Sequence, residues 1–261
     1  MTNSPYVNNQ ELLDNAIDFA KLGGQHTLKY FRKNVQVLSK TDDSPVTIAD
    51  REAEQIIRNE ILRRFPDHGI IGEEFGVTNP DANIKWILDP IDGTVSFIHG
   101  IPLYTTLIGV LVDGQPMAGV IYAPAMDELC EGSAECGTRL NGETVKVRQC
   151  ASLSEATLIT TDRKNIRKYG FETPINELMT RVKVDRTWGD AYGHMMVATG
   201  RADIMFDPIL NIWDAAALLP VVQGAGGKFI DVHGKPDIHT GNGISIVDGL
   251  VDDVLNILRK H

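Results

Sequence analysis

The segment Asp89-Pro90-Ile91-Asp92-Gly93-Thr94 places two carboxylates three residues apart, with a glycine and a threonine directly behind them. In a tight turn that spacing lets both acids face one point, and the Ile91 carbonyl can join them. Carboxylates gathered in this way repel one another unless a cation lies among them. Hard oxygen ligands suit Mg²⁺. Gly93 allows a strained or very close backbone. If Thr94 opens a helix, the amides of Gly93 and Thr94 offer partial positive charge to a phosphate. One or two cations held here would polarise a phosphoryl group and sharpen a water nucleophile.

Three further acids stand in comparable settings. Glu73 follows Gly72 at the end of a short apolar run, where a sheet end would project a carboxylate. Asp50 lies in Val46-Thr47-Ile48-Ala49-Asp50, at the entry to a helix. Asp214 lies in Trp213-Asp214-Ala215-Ala216-Ala217, again at a helix start. Taken singly, each is as readily a turn residue or a helix cap.

The elements that must position these groups change character along the chain. Apolar spacing predicts helices over 10–33 and 47–65, with a polar, turn-rich stretch over 40–50 between them. Pro66-Asp67-His68-Gly69 ends the second helix. Strands are predicted over 69–72, 85–88, 105–112 and 116–123, the last two joined through Asp113-Gly114. Pro90, which has no amide hydrogen, is expected to stop the second of these strands. Val95 and Ile98 are expected to form the apolar side of the helix that follows. The second half alternates: strands over 157–161, 182–184, 204–206 and 228–232, and helices over 172–181, 193–199, 214–223 and 250–258. This pattern implies an α+β half over 1–152 and an α/β half over 153–261.

The chain has 261 residues, with 43% apolar and 23% charged residues, which is ordinary for a globular protein. A formal charge of −10 argues against nucleic acid or an anionic membrane as partner. No apolar run approaches a membrane span. The start of the chain lacks the pattern of a secretory signal. Cys130, Cys136 and Cys150 are odd in number and lack metal-type spacing, so a reducing, cytoplasmic setting is expected.

Together, Val46–Asp50, Gly72–Glu74, Asp89–Thr94 and Trp213–Ala217 resemble the inositol monophosphatase-like superfamily of Mg²⁺-dependent, lithium-sensitive phosphatases. The resemblance runs from about residue 10 to the end. It implies a layered α/β/α/β/α sandwich and, by analogy, a homodimer. It also implies two or three Mg²⁺ per site. Glu73, Asp89 and the Ile91 carbonyl would hold one ion, and Asp89, Asp92 and Asp214 a second. Glu73 would also help with a weaker third. Thr94 and Asp50 would form the pair that takes the proton of the attacking water, since a threonine hydroxyl is a weak base without a carboxylate behind it. Asp92, Gly93 and Thr94 would face the substrate phosphate.

The stretches 92–109, 186–203 and 207–227 resemble most the histidinol-phosphate phosphatase branch, and Val95 departs from the polar or basic residue frequent there. That branch implies a small phosphorylated substrate carrying an ammonium and an imidazole. Asp190 and Asp207 could offer it carboxylates, with Arg186 orienting these acids or touching the substrate. His99 and His194 read as supporting residues, and Trp188 and Tyr192 as pocket wall or core. Inositol monophosphate, fructose bisphosphate and adenosine 3′,5′-bisphosphate are the competing substrates. A glycosidase built on two carboxylates explains neither the Gly-Thr amides nor the number of acids.

Overall fold

A computed structural model describes residues 8–33, 37–39 and 45–261. Residues 40–44 of the expected polar stretch lie outside the described residues. Helix α1 (Asn9–Thr27) begins where the Asn8 side chain accepts the Glu11 amide, and buries Leu12, Leu13, Ala16, Phe19 and Ala20. It ends at Thr27, six residues before the expected 33: the Thr27 hydroxyl turns back to donate to the Gly24 carbonyl at 2.6 Å. Strands β1 (Val37–Ser39) and β2 (Pro45–Thr47) pair with each other and lead into α2 (Ile48–Arg64).

Next come β3 (Gly69–Gly72), β4 (Gly76–Thr78), β5 (Ile84–Asp92), the short α3 (Thr94–Ile98), β6 (Thr105–Val112), β7 (Gln115–Ala123), β8 (Glu128–Ser133), β9 (Gly137–Leu140) and β10 (Glu143–Val145). They form one eight-stranded sheet in the order β10-β9-β8-β7-β6-β5-β3-β4. Only β3 and β5 run parallel within it. The second half supplies β11 (Thr157–Thr160), α4 (Arg163–Lys168), α5 (Glu172–Arg181), β12 (Val184–Arg186), α6 (Ala191–Ala198), β13 (Ile204–Asp207), α7 (Ile212–Gly224), β14 (Lys228–Ile230), β15 (Gly243–Ile246) and α8 (Val251–Lys260). Its sheet has the order β12-β11-β13-β15-β14.

The layers follow from which faces are apolar. Helices α1 and α2 cover one face of the large sheet, around Phe19, Ile57, Trp86 and Val120. Helices α6 and α7 lie between the sheets, around Ile87, Leu107, Met195, Leu218 and Phe229. Helices α5 and α8 close the far face of the small sheet, around Leu158, Phe206, Ile244 and Leu255. This is the expected α/β/α/β/α sandwich. Helix α7 sits on bare backbone: a Cβ at Gly119 would lie 2.1 Å from the Ala217 carbonyl oxygen, and one at Gly109 would lie 2.7 Å from the Ala216 methyl.

Two local expectations are corrected. Strand β5 does not stop at Pro90 but runs on to Asp92. The register to β6 shifts between Asp89 and Asp92, a bulge that accommodates the missing amide of Pro90. The Thr106 hydroxyl donates to the Pro90 carbonyl at 2.8 Å and fixes the bulge. In α3 the buried residue is Phe97, with Ile98 half-buried beside it as expected, whereas Val95 is 59% exposed. Strand β15, Gly-Ile-Ser-Ile, pairs with both β13 and β14 and adds to the predicted strands.

Candidate active site

The bulge in β5 aims Asp89 and Asp92 toward the same side. Asp89 is 3% exposed, and its Oδ1 accepts the Ile91 amide at 3.0 Å. Asp92 Oδ2 accepts the Ala191 amide at 2.7 Å and the Thr105 hydroxyl at 3.2 Å, which ties β5 to the first turn of α6. Asp214 stands in the first turn of α7, where its Oδ2 accepts the Asn211 amide at 2.6 Å. Each acid thus anchors itself with a backbone amide, and Asp89, Asp92 and Asp214 each bring one oxygen within 4.8 Å of the others.

Burial, then the neighbouring acids, pushes the carboxyls of Asp89, Asp92 and Asp214 well above the usual carboxylate range. Asp89 and Asp214 share a hydrogen bond that favours the proton on Asp89. Among the described residues no lysine or arginine forms an ion pair with any of the three. Carboxylate oxygens at this spacing, lacking a built-in cation, fit a divalent metal ion.

Glu73 is placed by the parallel register of β3 with β5, in which Gly72 lies opposite Leu88 and the Glu73 amide donates to the Leu88 carbonyl at 3.2 Å. Its charge raises the Asp89 and Asp214 carboxyls. The turn that carries it is held from α2: Glu54, fully buried, accepts the Glu74 amide at 2.7 Å and the Phe75 amide at 3.1 Å. Arg58 pairs with Glu54 at 2.7 Å and also donates to the Gly76 carbonyl. Neither Glu54 nor Arg58 was read as functional. Their signal was available, since Asp50, Glu54 and Arg58 recur every four residues beside the apolar line of Ala49, Ala53, Ile57 and Ile61.

Asp50 is the third residue of α2 and forms a capping box with Thr47, accepting its amide at 2.8 Å and its hydroxyl at 2.6 Å on Oδ2. Its Oδ1 is buried with no hydrogen bond. Burial, partly offset by the Thr47 bonds, pushes the Asp50 carboxyl up to about 6. Thr94 and Asp50 do not bond to each other; the Thr94 hydroxyl donates to the Ile91 carbonyl at 3.1 Å. The first turn of α2 nevertheless lies against the Thr94 turn, because Ala49 packs with Ile91 and Phe97.

A cavity of about 340 Å³ opens beside this cluster, walled by Glu73, Gly93–Ser96, Leu103, Thr161, Asp162, Asn165, Thr187, Gly189 and Asp190. Gly93 has φ 78°, and a Cβ there would come within 2.8 Å of Asp190 Oδ2. Asp190 thus overhangs the Gly93-Thr94 turn. Burial and the charges of Asp207, Asp214 and Asp162 push its carboxyl up to about 7. Asp207 lies one step behind the wall, 5% exposed, accepting the Thr161 hydroxyl at 2.7 Å. Arg186 is exposed, stacks its guanidinium over Trp188 at 5.9 Å, and donates to the Asp185 carbonyl, so the structure does not bring it to these acids. His99 is bonded to the Val95 carbonyl, and Tyr192 bonds Glu128 away from the cavity. His194 is wholly buried beside Asp207. No helix among the described residues is long and apolar enough to cross a membrane.

The model of the inositol monophosphatase family matches residues 8–254. A histidinol-phosphatase from Chlorobaculum parvum is 43% identical over 88% of this chain and 89% of its own length. An inositol monophosphatase from Mesembryanthemum crystallinum is 34% identical over 93% of each chain. Among solved structures, an inositol monophosphatase from Zymomonas mobilis superposes with a TM-score of 0.87 at 32% identity, covering 97% of this chain and 99% of that one. With its acidic cluster, its cavity and this likeness along nearly its full length, the chain belongs to the inositol monophosphatase family and is a phosphoric monoester hydrolase.

Proposed function

We propose that this chain is a Mg²⁺-dependent phosphatase that hydrolyses histidinol phosphate to histidinol and phosphate, acting as a cytoplasmic homodimer. The observation that carries the substrate is Asp190: a carboxylate at the cavity wall, directly over the Gly93-Thr94 turn, with no hydrogen-bond donor to it among the described residues. An ammonium on the leaving group supplies the charge that this carboxylate lacks. Asp162, on the same wall, adds to the negative field. The likeness to a histidinol-phosphatase supports the same reading.

In this reading Glu73, Asp89, the Ile91 carbonyl, Asp92 and Asp214 hold the metal. A divalent cation bound there supplies Lewis-acid polarisation of the phosphoryl group and makes water acidic near neutral pH. The amides at the start of α3 have no partner within the helix and turn toward the phosphate. Thr94 takes the proton of the attacking water once its hydroxyl leaves the Ile91 carbonyl. Asp50 Oδ1, buried and without a bond, is the acceptor behind it. Leu103, Thr161, Asp162 and Asn165 exclude bulk water from the leaving-group side.

The second reading, an inositol monophosphatase, is favoured by the relatives of that name at 34% identity. The test is kcat/KM under saturating Mg²⁺ for histidinol phosphate, myo-inositol monophosphate, fructose 1,6-bisphosphate and adenosine 3′,5′-bisphosphate. Histidinol phosphate is expected to lead by at least one order of magnitude, the scale of one charge-assisted bond. Equal or faster turnover of inositol phosphate overturns the assignment.

A further inference from the structure

We propose that Thr161, Asp207 and His194 form a buried brace that holds the Asp190 carboxylate in the cavity and thereby sets the preference for a cationic leaving group; this rests on the role given to Asp190 above.

The first observation is backbone strain. Asp190 has φ 55° and ψ −166°. That region is essentially reserved for glycine, so a side-chain-bearing residue held there is strained. Asp190 also occupies the N-cap position of α6, yet its side chain makes no capping bond. An aspartate there ordinarily caps the helix and stabilises it. The strained backbone directs the carboxylate away from the helix and over Gly93 instead.

The second observation is what holds that conformation. The Thr161 hydroxyl has one proton, which it donates to Asp207 Oδ1 at 2.7 Å. Its lone pair is thereby turned to the Asp190 amide, which donates to it at 3.2 Å. The next amide, of Ala191, donates to Asp92. Gly189 seats the turn: a Cβ there would lie 2.3 Å from the Thr161 Cα. Strands β11 and β13 put Thr160 opposite Phe206, so residues 161 and 207 emerge side by side.

Behind Asp207 stands His194, wholly buried on α6. Its Nδ1 bonds the Ser245 hydroxyl at 2.6 Å. Its Nε2 makes no hydrogen bond and lies 3.5 Å from Asp207 Oδ2. Ser245 is fixed opposite Met205 in the β13–β15 ladder. The chain of contacts thus runs from the middle of the small sheet through His194, Asp207 and Thr161 to the strained amide. Asp207 acts through Thr161 as a positioning residue, and Thr161 determines where the Asp190 carboxylate rests.

The experiment compares histidinol phosphate with glycerol 2-phosphate, a neutral leaving group, in Mg²⁺. The readout is the ratio of their kcat/KM values, with KM and kcat taken apart. Thr161→Val is expected to lower the ratio on the order of tenfold, mainly through KM for the cationic substrate, and Thr161→Ser to restore it. In an Asp190→Asn background Thr161→Val is expected to lower the ratio no further, because the brace works only through that carboxylate. Ser245→Ala, remote from the cavity, lowers the ratio less and serves if Thr161→Val does not fold. The brace is overturned if the valine and serine variants behave alike, if the valine effect persists without Asp190, or if Ser245→Ala alone folds and leaves the ratio unchanged. A wild-type ratio near one that Asp190→Asn does not move overturns instead the reading of Asp190 itself.

Discussion

Two sets of acids, Glu54 on one side and Asp89 with the half-buried Asp92 and Asp214 on the other, meet near the ends of β3 and β5, and they are answered differently. Glu54, on α2, is met by the Arg58 guanidinium and by two turn amides. Asp89, Asp92 and Asp214 are met by amides and by one another. An acid that carries its cation within the fold is scaffold, and it holds the Glu73 turn in place. Acids gathered without one store mutual repulsion that a metal ion relieves. The contrast separates framework from chemistry within a few residues of chain.

The largest effect expected from this contrast is on stability. Glu54→Gln leaves Arg58 buried without its counter-charge, and should cost on the order of 3–5 kcal/mol, read as a lowered urea midpoint. A loss below about 1 kcal/mol would mean that the pair is not structural in the sense drawn here. The converse change is Asp92→Asn in the set without a cation. It should reduce kcat/KM on the order of 10²–10³-fold while circular dichroism stays native. In the wild type, Mg²⁺ at about 100 times its Kd should stabilise by roughly 2.7 kcal/mol, and Asp92→Asn should lose most of that gain. Turnover and Mg²⁺ response both unchanged would remove the distinction.

The smallest effect concerns Glu131, which belongs to neither set. It is 6% exposed with Oε2 unbonded, and burial pushes its carboxyl up to about 7. A folded-state value above the unfolded one means that the protonated form is favoured in the fold. Its stabilising contribution is complete below about 4.5 and is lost as pH rises through about 7. Glu131→Gln should therefore gain stability over wild type across that window, by about 1 kcal/mol after discounting for solvent screening. Urea midpoints that move in parallel for both proteins from pH 4.5 to 8 would show that the fold leaves the Glu131 carboxyl unshifted.

Much of this was legible in the chain because turn chemistry is local. Asp89, Asp92, Gly93 and Asp214 declare themselves through spacing, a glycine and a helix start; periodicity implies an α+β half and an α/β half, and the full layered sandwich is implied only by the family resemblance. What escaped notice depends on register and side-chain reach. The run of β5 through Pro90 needed β6 beside it to show a bulge. The brace at Thr161 needed β11 next to β13, which no spacing reveals. Arg186 attracted attention as a cation near acids, yet strand β12 ends with it pointing outward, stacked on Trp188. The four-residue spacing of Glu54 and Arg58 is visible in the chain, but the turn amides that Glu54 accepts appear only once β3 is set beside α2.

The bare backbone under α7 carries a consequence for the acid at its tip. Because Gly109 and Gly119 lack side chains, the distance between helix and sheet there is fixed by main-chain contact rather than by packing that can adjust. One added methyl group would lift the rod as a whole, and the displacement would emerge at its leading end, where Asp214 meets Asp89 and Asp92. The whereabouts of that carboxylate is as much a property of two glycines in the middle of the sheet as of the aspartate itself.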